Sequence, residues 1–116
     1  MKIGVTGNKG FIGSHLLIYL THISKEHKIV NFEDNFFLSQ NKLERFVKKC
    51  DCIIHLAAVN RSSKKGFIKQ TNISLTKKLI DTFVKVGYKG LVIFSSSTQQ
   101  NLNNEYGISK KNCVKL

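Results

Sequence analysis

Proline is absent from this 116-residue sequence, so its loops must take their shape from Gly, Asn and Ser. No stretch approaches the ~20 consecutive apolar residues of a membrane span, and no membrane partner is expected. The opening residues, Met1-Lys2-Ile3-Gly4-Val5, run directly into a strand-like segment without the charged, apolar and small-residue regions of a secretion signal. A cytoplasmic protein is the expectation. Cysteine is sparse and odd in number. Cys50-Asp51-Cys52 looks like half a metal site, but no matching Cys or His pair completes a four-ligand shell. Cys50, Cys52 and Cys113 therefore read as reduced structural thiols, and no metal is expected. Acidic residues are scarce as well: 7 Asp and Glu stand against 19 Lys and Arg, a net charge of +12. Such a charge fits a nucleic-acid surface. Against that, 17 of the 19 basic residues are Lys, in short runs such as Lys48-Lys49 and Lys77-Lys78 with no aromatic platform between them. The preferred reading is a solvated, lysine-rich exterior with no specific nucleic-acid partner; a basic nucleic-acid-binding module is the alternative. The same positive field would attract anionic nucleotide cofactors and nucleotide-sugars.

What remains is an ordinary globular composition, 41% hydrophobic and sized for one domain. The apolar period separates the elements. Lys2 to Thr6 reads as a buried strand. Gly10 to about Ser24 reads as a helix with Ile12, Leu16, Leu20 and Ile23 on one stripe. His27 to Glu33 is a second strand, Asn41 to Lys49 a helix, and Cys52 to Ala57 a strand covered on both faces. Gly66 to Val86 is a long helix built on Leu75, Leu79, Ile80, Phe83 and Val84. Leu91 to Phe94 is a last strand, and Tyr106 to Leu116 starts another helix. This alternation predicts an α/β fold over residues 1–116, a Rossmann-like doubly wound parallel sheet of about four to five strands with helices on both faces. Right-handed crossovers place the second strand on one side of the first and the later strands on the other, creating a ligand-binding switch point. Phe36-Phe37-Leu38 fits either a short extra strand or an apolar loop beneath an adenine.

Gly7-Asn8-Lys9-Gly10-Phe11-Ile12-Gly13 is a G-x-x-G-x-x-G between the first strand and the first helix, the context that gives a glycine fingerprint meaning. Gly7 permits the tight turn, and Gly10 lets a pyrophosphate approach N–H groups at the helix N-terminus. Gly13 allows close helix–strand packing. Lys9, Phe11 and Ile12 belong to the same cradle. At the end of the second strand, Glu33 is placed to accept hydrogen bonds from a ribose diol and to repel a 2′-phosphate, which favours NAD(H). Lys9 keeps NADP(H) open, because a cation in the glycine loop can reach that phosphate. Tyr106-Gly107-Ile108-Ser109-Lys110 sets a phenol and an ammonium on one helix face. A free phenol, with a pKa of about 10, exchanges protons poorly at neutrality. A neighbouring ammonium favours the phenolate.

These motifs, with Val5-Thr6-Gly7 and Ser14-His15-Leu16, resemble the extended short-chain dehydrogenases/reductases, the family of nucleotide-sugar epimerases, dehydratases and reductases. His55-Leu56-Ala57-Ala58-Val59 resembles the family's His-x-Ala-Ala run. That likeness puts Leu56, Ala57, Ala58 and Val59 beside the cofactor and leaves His55 as a packed strand histidine. Asn60-Arg61, together with Ser95-Ser96-Ser97-Thr98-Gln99, is similar to reductases that make UDP-N-acetyl-6-deoxy-hexosamines for bacterial capsule and O-antigen. Asn72 matches an Asn that the family places near the nicotinamide ribose, and Asp34 stands where NADP-preferring members carry Arg. The resemblance implies NAD(P)-dependent redox chemistry on a nucleotide-activated sugar. In it Tyr106 moves the proton, and Lys110 tunes Tyr106 and holds the ribose hydroxyls. Ser97, with Ser96 as second choice, polarises the reacting oxygen. Reductase and epimerase both fit, whereas Gln99-Gln100 offers no carboxylate for a dehydratase. The likeness spans only the N-terminal part of the family's plan, without the C-terminal substrate lobe. A non-catalytic dinucleotide-binding fragment is therefore the second reading, and a homodimer stays open. Glu105 departs from the pattern, since members carry Pro before the Tyr, and it leaves the local loop geometry undetermined.

Overall fold

The computed structural model describes residues 1–23 and 25–116. Four strands, β1 (Lys2–Thr6), β2 (Lys28–Val30), β3 (Cys52–His55) and β4 (Leu91–Phe94), form one sheet in the order β2-β1-β3-β4. All three pairings are parallel. The helices are α1 (Phe11–Ile23), α2 (Gln40–Lys49), α3 (Phe67–Val86) and α4 (Glu105–Val114), with short 3-10 turns at Asp34–Leu38 and Thr98–Asn101. This is the doubly wound arrangement that the alternation predicts, with the chain reversing direction across the sheet between β1 and β3. The expected end of α1 at Ser24 lies outside the described residues.

Side chains alternate across the pleat and so divide the core in two. On one face Ile53 packs with Phe32, Phe37, Leu43, Phe46, Val47 and Leu79 beneath α2 and α3. On the other, Ile3, Val5 and Cys52 meet Leu16, Leu17 and Leu20 of α1. Ser39 caps α2 by accepting from the Lys42 N–H, and Lys48 and Lys49 sit at its negative end. Gly87, in the left-handed region, terminates α3. Burial of Cys50 pushes its thiol up to about 12, and burial also raises Cys52; with Cys113 these are buried free thiols.

Several apolar positions fall elsewhere than expected. Ile12 and Ile23 of α1 are exposed while Leu17 packs inward, because the helix is apolar nearly all round and its period cannot name the buried face. Val84 is exposed, and Thr82 takes the buried position by donating its hydroxyl to the Lys78 carbonyl. Phe36-Phe37-Leu38 is neither strand nor open loop but a 3-10 turn. It drives Phe37 edge-on into Phe32, 5.4 Å between ring centroids, and leaves Leu38 outside. β2 ends at Val30 and β3 at His55, both earlier than predicted. β4 is an edge strand, and Leu91, Val92 and Ile93 stay largely exposed.

His55 is a core histidine. Its Nδ1 lies 2.7 Å from Thr6 Oγ1, which also accepts from the Ala57 N–H at 3.2 Å, and its Nε2 lies 3.0 Å from Thr76 Oγ1. A neutral imidazole donates at one of these contacts and accepts at the other. Burial, with a smaller contribution from the Lys110 ammonium, lowers the imidazole to about 4. The unfolded chain binds this proton near its ordinary 6.5, so between those values the unfolded state holds more protons. The stability this contributes is present above pH 6.5 and is lost as pH falls towards 4. Urea unfolding at pH 7 and pH 4.5 should show wild type losing roughly 2–3 kcal/mol more than His55→Gln. Equal losses would mean that His55 is not buried neutral.

Candidate functional site

The C-terminal ends of β1 and β3 open onto a cleft with two lobes. One, about 330 Å³, is lined by Gly7, Lys9, Gly10, Asp34, Phe37, Leu56, Ala57, Ala58, Val59 and Leu75. The other, about 340 Å³, is lined by Gly7, Gly10, Phe11, Ile12, Gly13, Leu56, Ala58, Asn60, Ser95, Ser96, Tyr106 and Lys110. Gly7, Gly10, Leu56 and Ala58 belong to both, so the lobes meet over the glycine turn. A larger open groove of about 640 Å³ runs along α3 past Lys69, Ile73 and Lys77 and shares no residue with the cleft.

The glycine turn is held tightly. Gly7 has φ +73°, and a Cβ there would lie 2.7 Å from the Ala57 nitrogen. A Cβ on Gly13 would collide with the Gly7 carbonyl oxygen. Gly10 differs, since its Cβ would meet only Gly7 O, at 3.3 Å, and otherwise project into free space. The first turn of α1 leaves the N–H groups of Phe11, Ile12 and Gly13 without intrahelical acceptors. A cradle that a side chain would fill, beneath unsatisfied donors, fits a dinucleotide pyrophosphate. Asn8 ties the turn to the end of the second strand by donating to Phe32 O at 2.9 Å. Lys9 Nζ lies 3.2 Å from Glu33 Oε2, an exposed pair that joins the two residues expected to decide between ribose hydroxyl and phosphate.

At the other lobe α4 brings in Tyr106 and Lys110. Asn104 caps the helix by accepting from the Gly107 N–H at 2.7 Å. Glu105, its first residue, accepts from the Lys69 N–H at 3.3 Å, in the first turn of α3, where Gly66 has no side chain with which to cap. That contact gives the Pro-to-Glu departure a physical account. Gly107 lets the helix lie flush on the Thr98–Asn101 turn, since a Cβ would collide with Gln99 O and stand 3.1 Å from Leu102 O. Lys110 is 2% exposed. Its ammonium sits 4.6 Å over the Phe94 ring and reaches only Ser95 Oγ, at 3.5 Å; among the described residues no carboxylate pairs with it. Burial lowers its pKa.

The structure thus gathers Gly7, Lys9, Gly10, Phe11, Ile12, Gly13, Leu56, Ala57, Ala58, Tyr106 and Lys110 around one cleft. Glu33 stands at its rim through Lys9. Two expected residues lie differently. Asn72 is 1% exposed, and its amide is engaged with Val59 and Ser109, so it stands behind the cleft wall and not on it. Ser97 caps the 3-10 turn, accepting from Gln99 N at 3.1 Å, while Ser95 and Ser96 line the lobe. Sequence reasoning missed Leu75 and Ser95 as lining residues, whereas Phe37, offered within an apolar loop beneath an adenine, lines the first lobe. For Ser95 the signal was present, since it follows β4 and precedes the two candidate serines; Leu75 looked like core.

The sequence model of the NAD dependent epimerase/dehydratase family matches residues 3–111. The chain is 32% identical over 111 residues to UDP-2-acetamido-2,6-beta-L-arabino-hexul-4-ose reductase of Pseudomonas aeruginosa, covering 96% of this chain and 29% of that protein. Among solved structures, RMD from Pseudomonas aeruginosa, complexed with NADPH, superposes with a TM-score of 0.81 at 22% identity, a likeness of fold. The capsular polysaccharide assembling protein CapF from Staphylococcus aureus gives 0.74 at 31% identity. These alignments take in 98% and 99% of this chain but 47% and 30% of theirs. The chain therefore spans half or less of the length of the proteins it matches. On the family match, and with this fold, the chain belongs to the NAD dependent epimerase/dehydratase family.

Proposed function

We propose that this chain is the cofactor-binding part of an NAD(P)-dependent reductase or epimerase acting on a nucleotide-activated sugar in bacterial surface-polysaccharide synthesis. The observation that carries the proposal is Lys110. An ammonium buried without a carboxylate is costly unless a ligand meets it. Ribose hydroxyls entering the lobe that Lys110 lines are such a partner. The 32% identity to a UDP-sugar reductase supports the substrate class. When bound, the nicotinamide supplies or accepts the hydride that moves to or from the sugar carbon. Tyr106 gives its phenolic proton to the carbonyl oxygen during reduction and takes it back in the reverse direction. Lys110 holds the ribose hydroxyls. Ser97 hydrogen-bonds the reacting oxygen. Its acceptance from Gln99 N leaves the hydroxyl proton free to donate, while Ser96 on the cleft wall is the competing donor.

The glycine cradle is tested by Gly10→Val. Calorimetric titration with NADH should show a loss of affinity of tenfold or more (an order-of-magnitude expectation) with native circular dichroism, because the side chain enters space meant for pyrophosphate. Unchanged affinity would remove the phosphate site.

NADH should bind more tightly than NADPH, since Glu33 accepts from a ribose diol and opposes a 2′-phosphate. Glu33→Ala should narrow or reverse the preference. A wild-type preference for NADPH would give control to Lys9.

Catalysis is tested in a full-length parent by NAD(P)H oxidation with UDP-linked 4-keto sugars. Tyr106→Phe should nearly abolish turnover and leave cofactor affinity almost intact. Lys110→Ala should damage both, and Ser97→Ala should lower turnover alone. If Ser96→Ala is the damaging serine variant, the oxygen-polarising role moves to Ser96. If Tyr106→Phe turns over normally, the mechanism is wrong. If the 116-residue chain binds cofactor without turnover, it acts as a binding module.

A further inference from the structure

Ser109 is spacer in a Y-x-x-x-K pattern, yet it is fully buried and its hydroxyl has two partners. It donates to the Tyr106 carbonyl at 2.7 Å and accepts from Asn72 Nδ2 at 2.9 Å. The first bond is the ordinary back-bond of a helical serine and satisfies the hydroxyl proton locally. The second crosses from α4 to α3. Asn72 spends the rest of its amide on one residue: Nδ2 donates to Val59 O at 2.9 Å, and Oδ1 accepts from Val59 N at 2.7 Å. Both donor protons and the acceptor of Asn72 are thereby used, which fixes its orientation.

Val59 lies beyond the end of β3, where the sheet ladder no longer holds the chain. Leu56 N still reaches Thr6 O, and Ala57 N reaches Thr6 Oγ1, but the next residue with both backbone groups held is Val59, and a side chain holds them. Ala58, Val59 and Asn60 line the cleft. The place of this segment is set by Asn72, and the setting of Asn72 depends on Ser109. We propose that Ser109 is a positioning residue that couples the helix carrying Tyr106 and Lys110 to the segment Ala58–Asn60 through Asn72. Displacement of one is then felt by the other, so a ligand seated against Ala58 and Val59 also places the Tyr106 helix. The consequence for cofactor rests on the function proposed above; the coupling is a property of the chain itself.

The test uses the isotopically labelled 116-residue chain. Amide exchange at Val59 is followed by NMR and NADH affinity by calorimetry, for wild type, Ser109→Ala and a control, Thr82→Val. Thr82 is another fully buried hydroxyl of α3, bonded to Lys78 O and away from the cleft. Ser109→Ala should speed exchange at Val59 roughly tenfold, the effect of freeing one buried hydrogen bond, and weaken NADH by a similar factor. Thr82→Val should leave both within about twofold. Unchanged Val59 exchange in Ser109→Ala overturns the coupling whatever NADH does, and so does an equal acceleration in both variants, which is general loosening. Faster Val59 exchange in a chain whose wild type does not bind NADH upholds the coupling and removes the cofactor reading instead. Should Ser109→Ala fail to fold, Ser109→Cys nearly keeps the volume with a weaker acceptor for the Asn72 amide and should accelerate Val59 in the same direction, and no acceleration there overturns the proposal.

Discussion

Removing an ammonium from water costs several kcal/mol, and Lys110 is removed almost completely, with a ring face and one hydroxyl in place of a carboxylate. Much of the surrounding structure follows from that. Phe94 lies under the Lys110 ammonium at 4.6 Å and stacks on the imidazole of His55 at 5.8 Å. Burial, aided by the nearby ammonium, keeps that imidazole neutral. Thr6 and Thr76 satisfy both nitrogens of the neutral ring. The helix bearing the ammonium is fixed in turn by Glu105 on α3, Gly107 on the 3-10 turn and Ser109 on Asn72. Burial, neutrality and helix placement are one constraint seen from three residues.

The far lobe is organised differently. Lys9 and Glu33 are both solvated, and an exposed pair of this kind contributes about 0–1 kcal/mol. A weak pair opens easily. On the function proposed above, opening would release Glu33 towards a diol or Lys9 towards a phosphate, and cofactor choice would follow whichever interaction a ligand makes. The buried end around Lys110 tolerates no such exchange. One end of the cleft is rigid and desolvated, the other adjustable.

The sheet order, the glycine turn and the Tyr106–Lys110 face were legible because each is local: a period, a turn or a one-turn spacing specifies it. What escaped was decided by partners distant in sequence. Phe36-Phe37-Leu38 fits a strand or an apolar loop by composition, and the aromatic cluster around Phe32 and Phe46 makes a 3-10 turn the way to bury Phe37. Asn72 and Ser109 are 37 residues apart, so no motif could show that the asparagine faces a serine and a strand end instead of a ribose. The family resemblance points to Ser97, but local capping geometry, which a serine run does not encode, directs its lone pair to Gln99 N. In α1 the apolar pattern carried too little contrast to pick a face.

Buried polarity is where fold and site coincide. Among the described residues the buried polar side chains are Thr6, His55, Asn72, Thr76, Thr82, Ser109 and Lys110. Lys110 lines the cleft, and hydrogen bonds tie Thr6 to Ala57 and, through Asn72, Ser109 to Val59 on its wall. A core assembled for stability alone would fill those places with aliphatic groups, since satisfied polar networks contribute little beyond what well-packed carbon provides. Here they fix orientations that carbon cannot: a ring plane at His55, an amide plane at Asn72 and a helix register at Ser109. Loss of any one leaves a donor or acceptor unsatisfied where water does not reach, so the penalty falls first on the geometry of the cleft and only then on the fold.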